Sequence, residues 1–449
     1  MGEKYRHSVF LKHEKCIGCV NCIKQCPTEA IRVRQGKAAI SEERCIDCGE
    51  CIRACPNLAK AVVTDGLLAI ARFPYKIALV PPSFYGQFKK GTTVCYVHAA
   101  LRQVGFDHIM DVAFAAEVVS EKIKEILREK NNDAPLISSA CPAVVRLIQV
   151  KFPGLIPQLI PLESPMELAG RLAKIYGARD TGLPLEQIGT FFLTPCSAKA
   201  SAVKNILHQS GHSVDGVISV AEIFPKVRGL NISESDFKFM VAPGVRGIKW
   251  SMAGGEQAAV QAANYLTVDG IRNVQKVLEE ADMNRLQGID FLELQACDGG
   301  CVGGFLNIQN RFQARVQLRW LMKEQGIVSA PLERPMPFSS EELEVKEQII
   351  APDPTNTGAF APGLEEAIRI MKQYDAVLER LPGLDCGSCG SPTCKALAED
   401  VALNKALEID CIFKLREKIM LLADEVLVLS KILPPSLNRI AKVKPEEGD

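Results

Sequence analysis

The chain predicts an α/β core of parallel strands, preceded by a small α+β segment and followed by a small, mostly helical one. Three observations carry this. From about residue 73 to 326, strand-like runs at 76–80, 136–138, 190–194, 237–242 and 291–294 alternate with helical stretches such as 116–129 and 166–176, the order that parallel strands with crossover helices produce. Ahead of them, two runs of four cysteines are separated by short apolar pieces at 30–33 and 38–40 around Gly36, which read as a hairpin. Behind them, residues 330–363 hold six prolines with little periodicity and read as a linker, with a helical piece at 341–346, before helical sequence resumes at Leu364.

A chain of 449 residues is too long for one hydrophobic core. The expected segments are 1–70, 71–328, 329–363, 364–411 and 412–449. Lys plus Arg and Asp plus Glu stand at 53 each, so no overall field recruits nucleic acid or an anionic membrane, and neither is an expected partner. Residues 1–9 are polar and charged, and the apolar stretches near Leu67 and Leu421 are broken by Arg72, Asp424 and Glu425. A signal peptide and a membrane helix are therefore not expected, and the cytoplasm is the expected compartment. In that reducing setting thiolates bind metal instead of pairing as disulfides.

Sixteen of the seventeen cysteines fall into sets. Cys16, Cys19, Cys22 and Cys26 precede Pro27, and Cys45, Cys48, Cys51 and Cys55 precede Pro56, each with two, two and three residues between ligands. This is the bacterial two-cluster ferredoxin signature, in which three cysteines of one run and the last of the other hold each cubane. The pairing expected is Cys16, Cys19, Cys22 with Cys55, and Cys45, Cys48, Cys51 with Cys26; a zinc ribbon is the alternative. A second set comprises Cys141, Cys196, Cys297 and Cys301, and the first three of these lie just after predicted strands, at the carboxyl ends where α/β folds place their sites. A third set, Cys386, Cys389, Cys394 and Cys411, suits one further cubane or a zinc ion. Cys95 is left over and reads as a buried small hydrophobe.

The phrases Ser138-Ser139-Ala140-Cys141-Pro142, Thr194-Pro195-Cys196-Ser197-Ala198-Lys199 and Glu293-Leu294-Gln295-Ala296-Cys297-Asp298-Gly299-Gly300-Cys301-Val302-Gly303-Gly304 resemble, in order, the three signature loops of the FeFe hydrogenases. The resemblance implies an H-cluster: a cubane on these four cysteines, bridged through Cys301 to a diiron centre carrying CO and CN ligands. It also implies roles for Lys199, Pro82 and Ser83 as donors or backbone contacts to those ligands. A Lys ammonium beside a cyanide nitrogen is a charge-assisted hydrogen bond that makes burial tolerable. The third cysteine set is similar to a module of electron-transfer subunits and of sensory FeFe hydrogenases.

Departures from the family's pattern shape the functional expectation. Catalytic members carry a cysteine at the position of Ala140, whose thiol relays protons. Here the side chain has no proton to give. The paired acids of the relay are not in their usual form around Glu117, Ala202 stands where a glutamate is usual, and Gln295 and Met166 stand where relatives more often have methionine and glutamine. A lost acid/base group costs on the order of 10²–10⁴ in rate. The expectation is a slow FeFe hydrogenase, 2H⁺ + 2e⁻ ⇌ H₂, acting as a sensor of H₂ or redox state. Its cofactors would be the H-cluster and three further cubanes, and its partner a ferredoxin-like electron carrier or a signalling protein. An efficient ferredoxin-linked hydrogenase and a non-catalytic iron–sulfur carrier of the cytosolic assembly type are the alternatives. Apolar residues at Ile412, Leu415, Ile419, Leu422, Val426, Leu429 and Leu433, in steps of three and four, suit a homodimer zipped through the last helix, or an amphipathic helix packed on its own domain.

Overall fold

A computed structural model describes residues 6–130, 133–205, 213–232, 243–324, 337–348, 350–351 and 363–432. Its strands are β1 (Val9–Leu11), β2 (Ile31–Arg34), β3 (Lys37–Ile40), β4 (Lys60–Val62), β5 (Tyr75–Val80), β6 (His108–Asp111), β7 (Leu136–Ile137), β8 (Ile188–Thr194), β9 (Gly216–Ser219), β10 (Tyr265–Asp269) and β11 (Phe291–Gln295). Two parallel sheets form the core, one in the order β6-β5-β8-β9 and one in the order β10-β11-β7. β1 pairs antiparallel with β4, and β2 and β3 make the expected hairpin. The α/β class follows from helices covering both faces of the sheets, which makes the central strands continuous apolar runs.

Alternation along β5 and β8 feeds two cores. Ile77, Leu79, Ile188 and Phe192 pack on one face, against Phe114, Leu168 and Leu172; Ala78, Val80, Phe191 and Leu193 pack on the other, against Phe84, Leu101 and Ile223. Each such side chain contributes roughly 1.5–3 kcal/mol by burial. Sequence reading missed β6, β9 and β10, which are four or five residues long and have polar ends. The predicted strand at 237–242 lies outside the described residues.

The predicted helix at 166–176 is observed as Pro165–Thr181, and local chemistry explains both ends. Ser164 and Glu167 form a capping box, with the Glu167 carboxylate accepting from the Ser164 N–H at 2.8 Å. Gly182 ends the helix at φ +72°. The helix predicted at 116–129 starts earlier, at Val112, because β6 runs directly into it.

Two expectations need correction. The helical piece at 341–346 is a single turn, and the described part of the linker, 337–348, is packed: Phe338 and Val345 are buried in the core, and the Lys346 N–H donates to Glu163 at 2.9 Å. Cys95 is only half-buried, on the helix Val94–Gln103.

The contacts divide the chain into two units that cut across the ferredoxin-like segment: residues 1–17, 25–30 and 40–357 in one, 18–24, 31–39 and 358–449 in the other. The first contains both parallel sheets. The second contains most of the hairpin and the helices Leu364–Arg380, Cys394–Ala402 and Ile412–Ser430. That last helix buries no residue, and its stripe from Ile412 to Leu429 is exposed throughout; Leu433 lies outside the described residues. No described helix is long and apolar enough to cross a membrane.

Candidate metal centre

The four cysteines of the second set reach one cavity from four directions. Cys141 follows β7 and precedes the helix Pro142–Lys151; Cys196 follows β8 and precedes Ser197–Lys204; Cys297 follows β11; Cys301 opens the short 3-10 turn Cys301–Gly303. All four line one cavity, together with Pro82, Ser83, Ala140, Met166, Lys199, Trp250, Glu256 and Gln295. Every residue expected at this site from sequence is therefore brought to it.

Burial pushes the Cys196 thiol up to about 11, with the Lys199 ammonium opposing the shift. Cys297 and Cys301 are raised too, burial again being the main cause. Lys199 shows the converse: burial alone would lower it, but the surrounding thiolates of Cys301, Cys196, Cys141 and Cys297 raise it. Its Nζ lies 3.5 Å from the carbonyl of Ala140. Packing does not explain four half-buried thiols round an ammonium. The donor set is that of a thiolate-bound cluster, whose metal stabilises the ionised ligands that burial disfavours.

The cradle also fits a bulky group. Gly299 and Gly300 adopt φ +80° and +91°, and a Cβ on Gly300 would stand 2.4 Å from Gln295 Oε1, one on Gly304 2.5 Å from the Pro195 carbonyl. Only glycine lets this loop fold so tightly beneath the cavity. The Ser83 hydroxyl is fully buried with no partner among the described residues, an orphan that a ligand in the cavity would satisfy. Oε1 of Gln295 is likewise buried without a partner among the described residues, while its Nε2 donates to Glu293 at 3.2 Å.

Sequence reasoning missed an acidic pair. Ser138 Oγ donates to both carboxylate oxygens of Glu256, at 2.7 and 2.8 Å. Glu256 is held up by burial and by the neighbouring charge of Glu293. Glu293 is raised chiefly by burial, against N–H donors from Gly254 and Gln257 at 2.9 and 2.8 Å. The available signal was the turn Ala253-Gly254-Gly255 ahead of Glu256: Gly254 sits at φ +82°, and a Cβ on Gly255 would lie 1.8 Å from the Lys249 carbonyl. Glu117, by contrast, is buried beside the amide of Gly247, from which it accepts at 3.0 Å, and is not among the cavity's lining residues. Ala202 packs against the core, also away from the cavity lining.

The second cysteine run abuts this centre. Asp47 and Cys48 line the same cavity, Arg53 donates to the Gly303 carbonyl, and Gly49 is so close to Phe305 that a Cβ would overlap the ring. Burial is the main cause of the raised Cys48 thiol, followed by the charge of Cys26, with Cys51 and Cys45 contributing. The charges of Cys26, Cys51 and Cys45 thus all act on Cys48. In the other unit, Cys386, Cys389, Cys394 and Cys411 line a pocket of about 300 Å³. All cysteines are free of disulfide bonds.

A parallel α/β core with four converging thiols and flanking ferredoxin-like cysteines defines an iron–sulfur protein. Comparison with known families narrows the class. The model for the carboxyl-terminal domain of the iron-only hydrogenase large subunit matches residues 75–239 and 232–305, a 4Fe-4S dicluster model matches 8–56, and an Fe-S cluster model matches 381–413. The chain belongs to the iron-only, or FeFe, hydrogenase family. It is 26% identical to iron hydrogenase 1 of Clostridium pasteurianum over 46% of this chain and 44% of that protein, so it spans less than half of that relative. It is 24% identical to a probable cytosolic Fe-S cluster assembly factor of Caenorhabditis elegans, over 67% of this chain and 72% of that protein. A solved FeFe hydrogenase of Chlamydomonas reinhardtii matches at 17% identity and TM-score 0.49, covering 63% of this chain and 98% of that one.

Proposed function

We propose that the protein is an FeFe hydrogenase of low turnover that senses H₂ or redox state. The observation that carries this reading is the cavity itself: four thiols and a buried ammonium, an orphan hydroxyl at Ser83, and a methyl group at Ala140 where the wall should carry a proton donor. When bound, a diiron centre with Cys301 among the residues that would hold it would supply the site where two protons and two electrons combine. The chain's own residues divide the remaining work. Cys141, Cys196, Cys297 and Cys301 anchor the cubane; Lys199 neutralises it and donates to anionic ligands; Ser83 and the backbone at Pro82 orient those ligands.

Ala140 holds no proton. A carboxyl linked to residue 140 by hydrogen bonds is Glu256, reached through Ser138, whose Oγ accepts from the Ala140 N–H at 3.3 Å and donates to the carboxylate. Burial and the neighbouring charge of Glu293 raise the Glu256 carboxyl, so it holds a proton to higher pH than an ordinary carboxylate, and its link to residue 140 runs through Ser138. Slow proton delivery with an intact ligand cradle suits a sensor. Electrons would pass through the amino-terminal cubanes to a ferredoxin-like carrier or a signalling protein.

Infrared spectroscopy of protein matured with the full cofactor tests the reading: CO and CN bands with slow H₂ evolution support it. The kinship with a cluster assembly factor favours a second reading, a non-catalytic iron–sulfur carrier, and a spectrum without those bands would establish that one instead.

A further inference from the structure

Three cations of the amino-terminal cysteine segment, Lys24, Arg32 and Arg34, turn toward the carboxyl-terminal cysteine set. Gly387, between Cys386 and Cys389, adopts φ +79°, and a Cβ there would lie 3.3 Å from Lys24 Cε, 3.5 Å from Ile23 Cδ1 and 3.7 Å from Val20 Cβ. Those residues belong to the turn and helix that carry Cys22. On the other side of Cys389, the Gly390 carbonyl accepts from the Val33 N–H at 2.7 Å, and a Cβ on Gly390 would stand 2.0 Å from the Val33 carbonyl. Backbone meets backbone there, with no room for a side chain between. Arg34 completes the join, donating to the Cys389 carbonyl at 3.1 Å, to Ser391 Oγ at 2.9 Å and to Asp400 at 2.6 Å. Arg32 reaches the same carboxylate at 2.6 Å. Burial raises the Cys389 thiol and the Arg34 charge opposes the shift; Lys24 helps to lower Cys386, after the stronger effect of hydrogen bonds from Ser388. The third cysteine set is thus built against the first run's own ligand loop.

We propose that this join is a two-cubane electron relay: the cubane on Cys386, Cys389, Cys394 and Cys411 exchanges electrons with the cubane that takes Cys19 and Cys22, and Arg34 is the positioning residue that locks the pair. One electron leaves one iron–sulfur core as the other gains it, and no proton or covalent bond moves. The relay requires the cubanes but not the diiron centre, so the hydrogenase reading and this one fail separately.

The test uses the full chain, iron–sulfur loaded without the diiron centre and reduced with dithionite, in a Cys51→Ser background that removes the other amino-terminal cubane. Electron paramagnetic resonance should show fast relaxation of the cubane at Cys19 and Cys22. In Cys394→Ser, with one further cubane's iron lost, its half-saturation power should fall severalfold. Arg34→Gln, with all iron retained, should move the carboxyl-terminal cubane to lower potential, because loss of a nearby positive charge disfavours the more negative reduced core; Arg34→Lys should restore most of the shift. Unchanged relaxation in Cys394→Ser overturns the relay. Should that variant shed amino-terminal iron as well, Arg34→Gln decides, and an unchanged potential overturns the proposal.

Discussion

The cavity cysteines and the carboxyl-terminal cysteines offer iron the same four thiolates by opposite routes. Cys141, Cys196, Cys297 and Cys301 come from the ends of separate core elements, and burial is the leading cause of every shift resolved among them. Cys386, Cys389 and Cys394 come from one short stretch of chain; Cys386 is lowered, first by a backbone hydrogen bond from Ser388, while burial raises Cys389. A local loop can settle a thiolate such as Cys386 with its own amides; a site assembled from separate elements relies on metal and on a cation such as Lys199 to do so. Metal binding and core folding are therefore expected to be coupled at the first site and largely separable at the second.

The largest expected effect breaks that contrast directly. Cys301→Ser should abolish H₂ evolution and lower the thermal stability of the core, whereas Cys394→Ser should cost one cubane's iron and leave the core's melting unchanged. Metal analysis with calorimetry reads both. A core that melts unchanged in Cys301→Ser would show that its fold does not depend on the metal.

Next comes Glu256→Gln. In the parent protein the carboxyl, raised by burial, is protonated at neutral pH and ionises as pH rises, so H₂ evolution should fall as pH climbs through about 8. The variant should evolve H₂ roughly tenfold to a hundredfold more slowly and lose that limb of the pH profile. A retained alkaline limb would assign it to another group.

Ala140→Cys should act in the opposite direction, raising H₂ evolution severalfold while the CO and CN bands stay in place, because no ligand changes. The gain is limited by the outer path, where Glu117 is engaged with the Gly247 amide and residue 202 is alanine. If the parent already turns over at rates typical of fast hydrogenases, the sensory reading fails.

The smallest effect on chemistry comes from the last helix. Isoleucine or valine alternates with leucine along its exposed stripe, Ile412, Ile419 and Val426 at one position and Leu415, Leu422 and Leu429 at the other, the pairing that favours two-stranded coils. Replacing Ile419 and Val426 by Asp should convert a dimer to a monomer in sedimentation experiments with turnover unchanged. A monomeric parent would remove the dimer from the account.

Much of this protein was legible before folding. Ligand spacing within a cubane is a property of a few consecutive residues, so the doubled cysteine run, the close pair Cys297 and Cys301 and the loop at Cys386 declared themselves, as did the apolar runs of β5, β8 and β11. The capped helix that begins at Pro165 was equally local, needing only Ser164, Glu167 and a terminal glycine. What the tertiary structure alone decided was which polar groups face one another across long stretches of chain. Glu117 and Glu256 look equally available in sequence, yet the fold buries one against a backbone amide and turns the other, through Ser138, toward the centre. Arg34 looks like a hairpin surface charge until Cys389 and Asp400, more than 350 positions away, supply its partners. Electrostatic roles depend on distance and burial, and both are set by residues far apart in the chain; no local pattern encodes them.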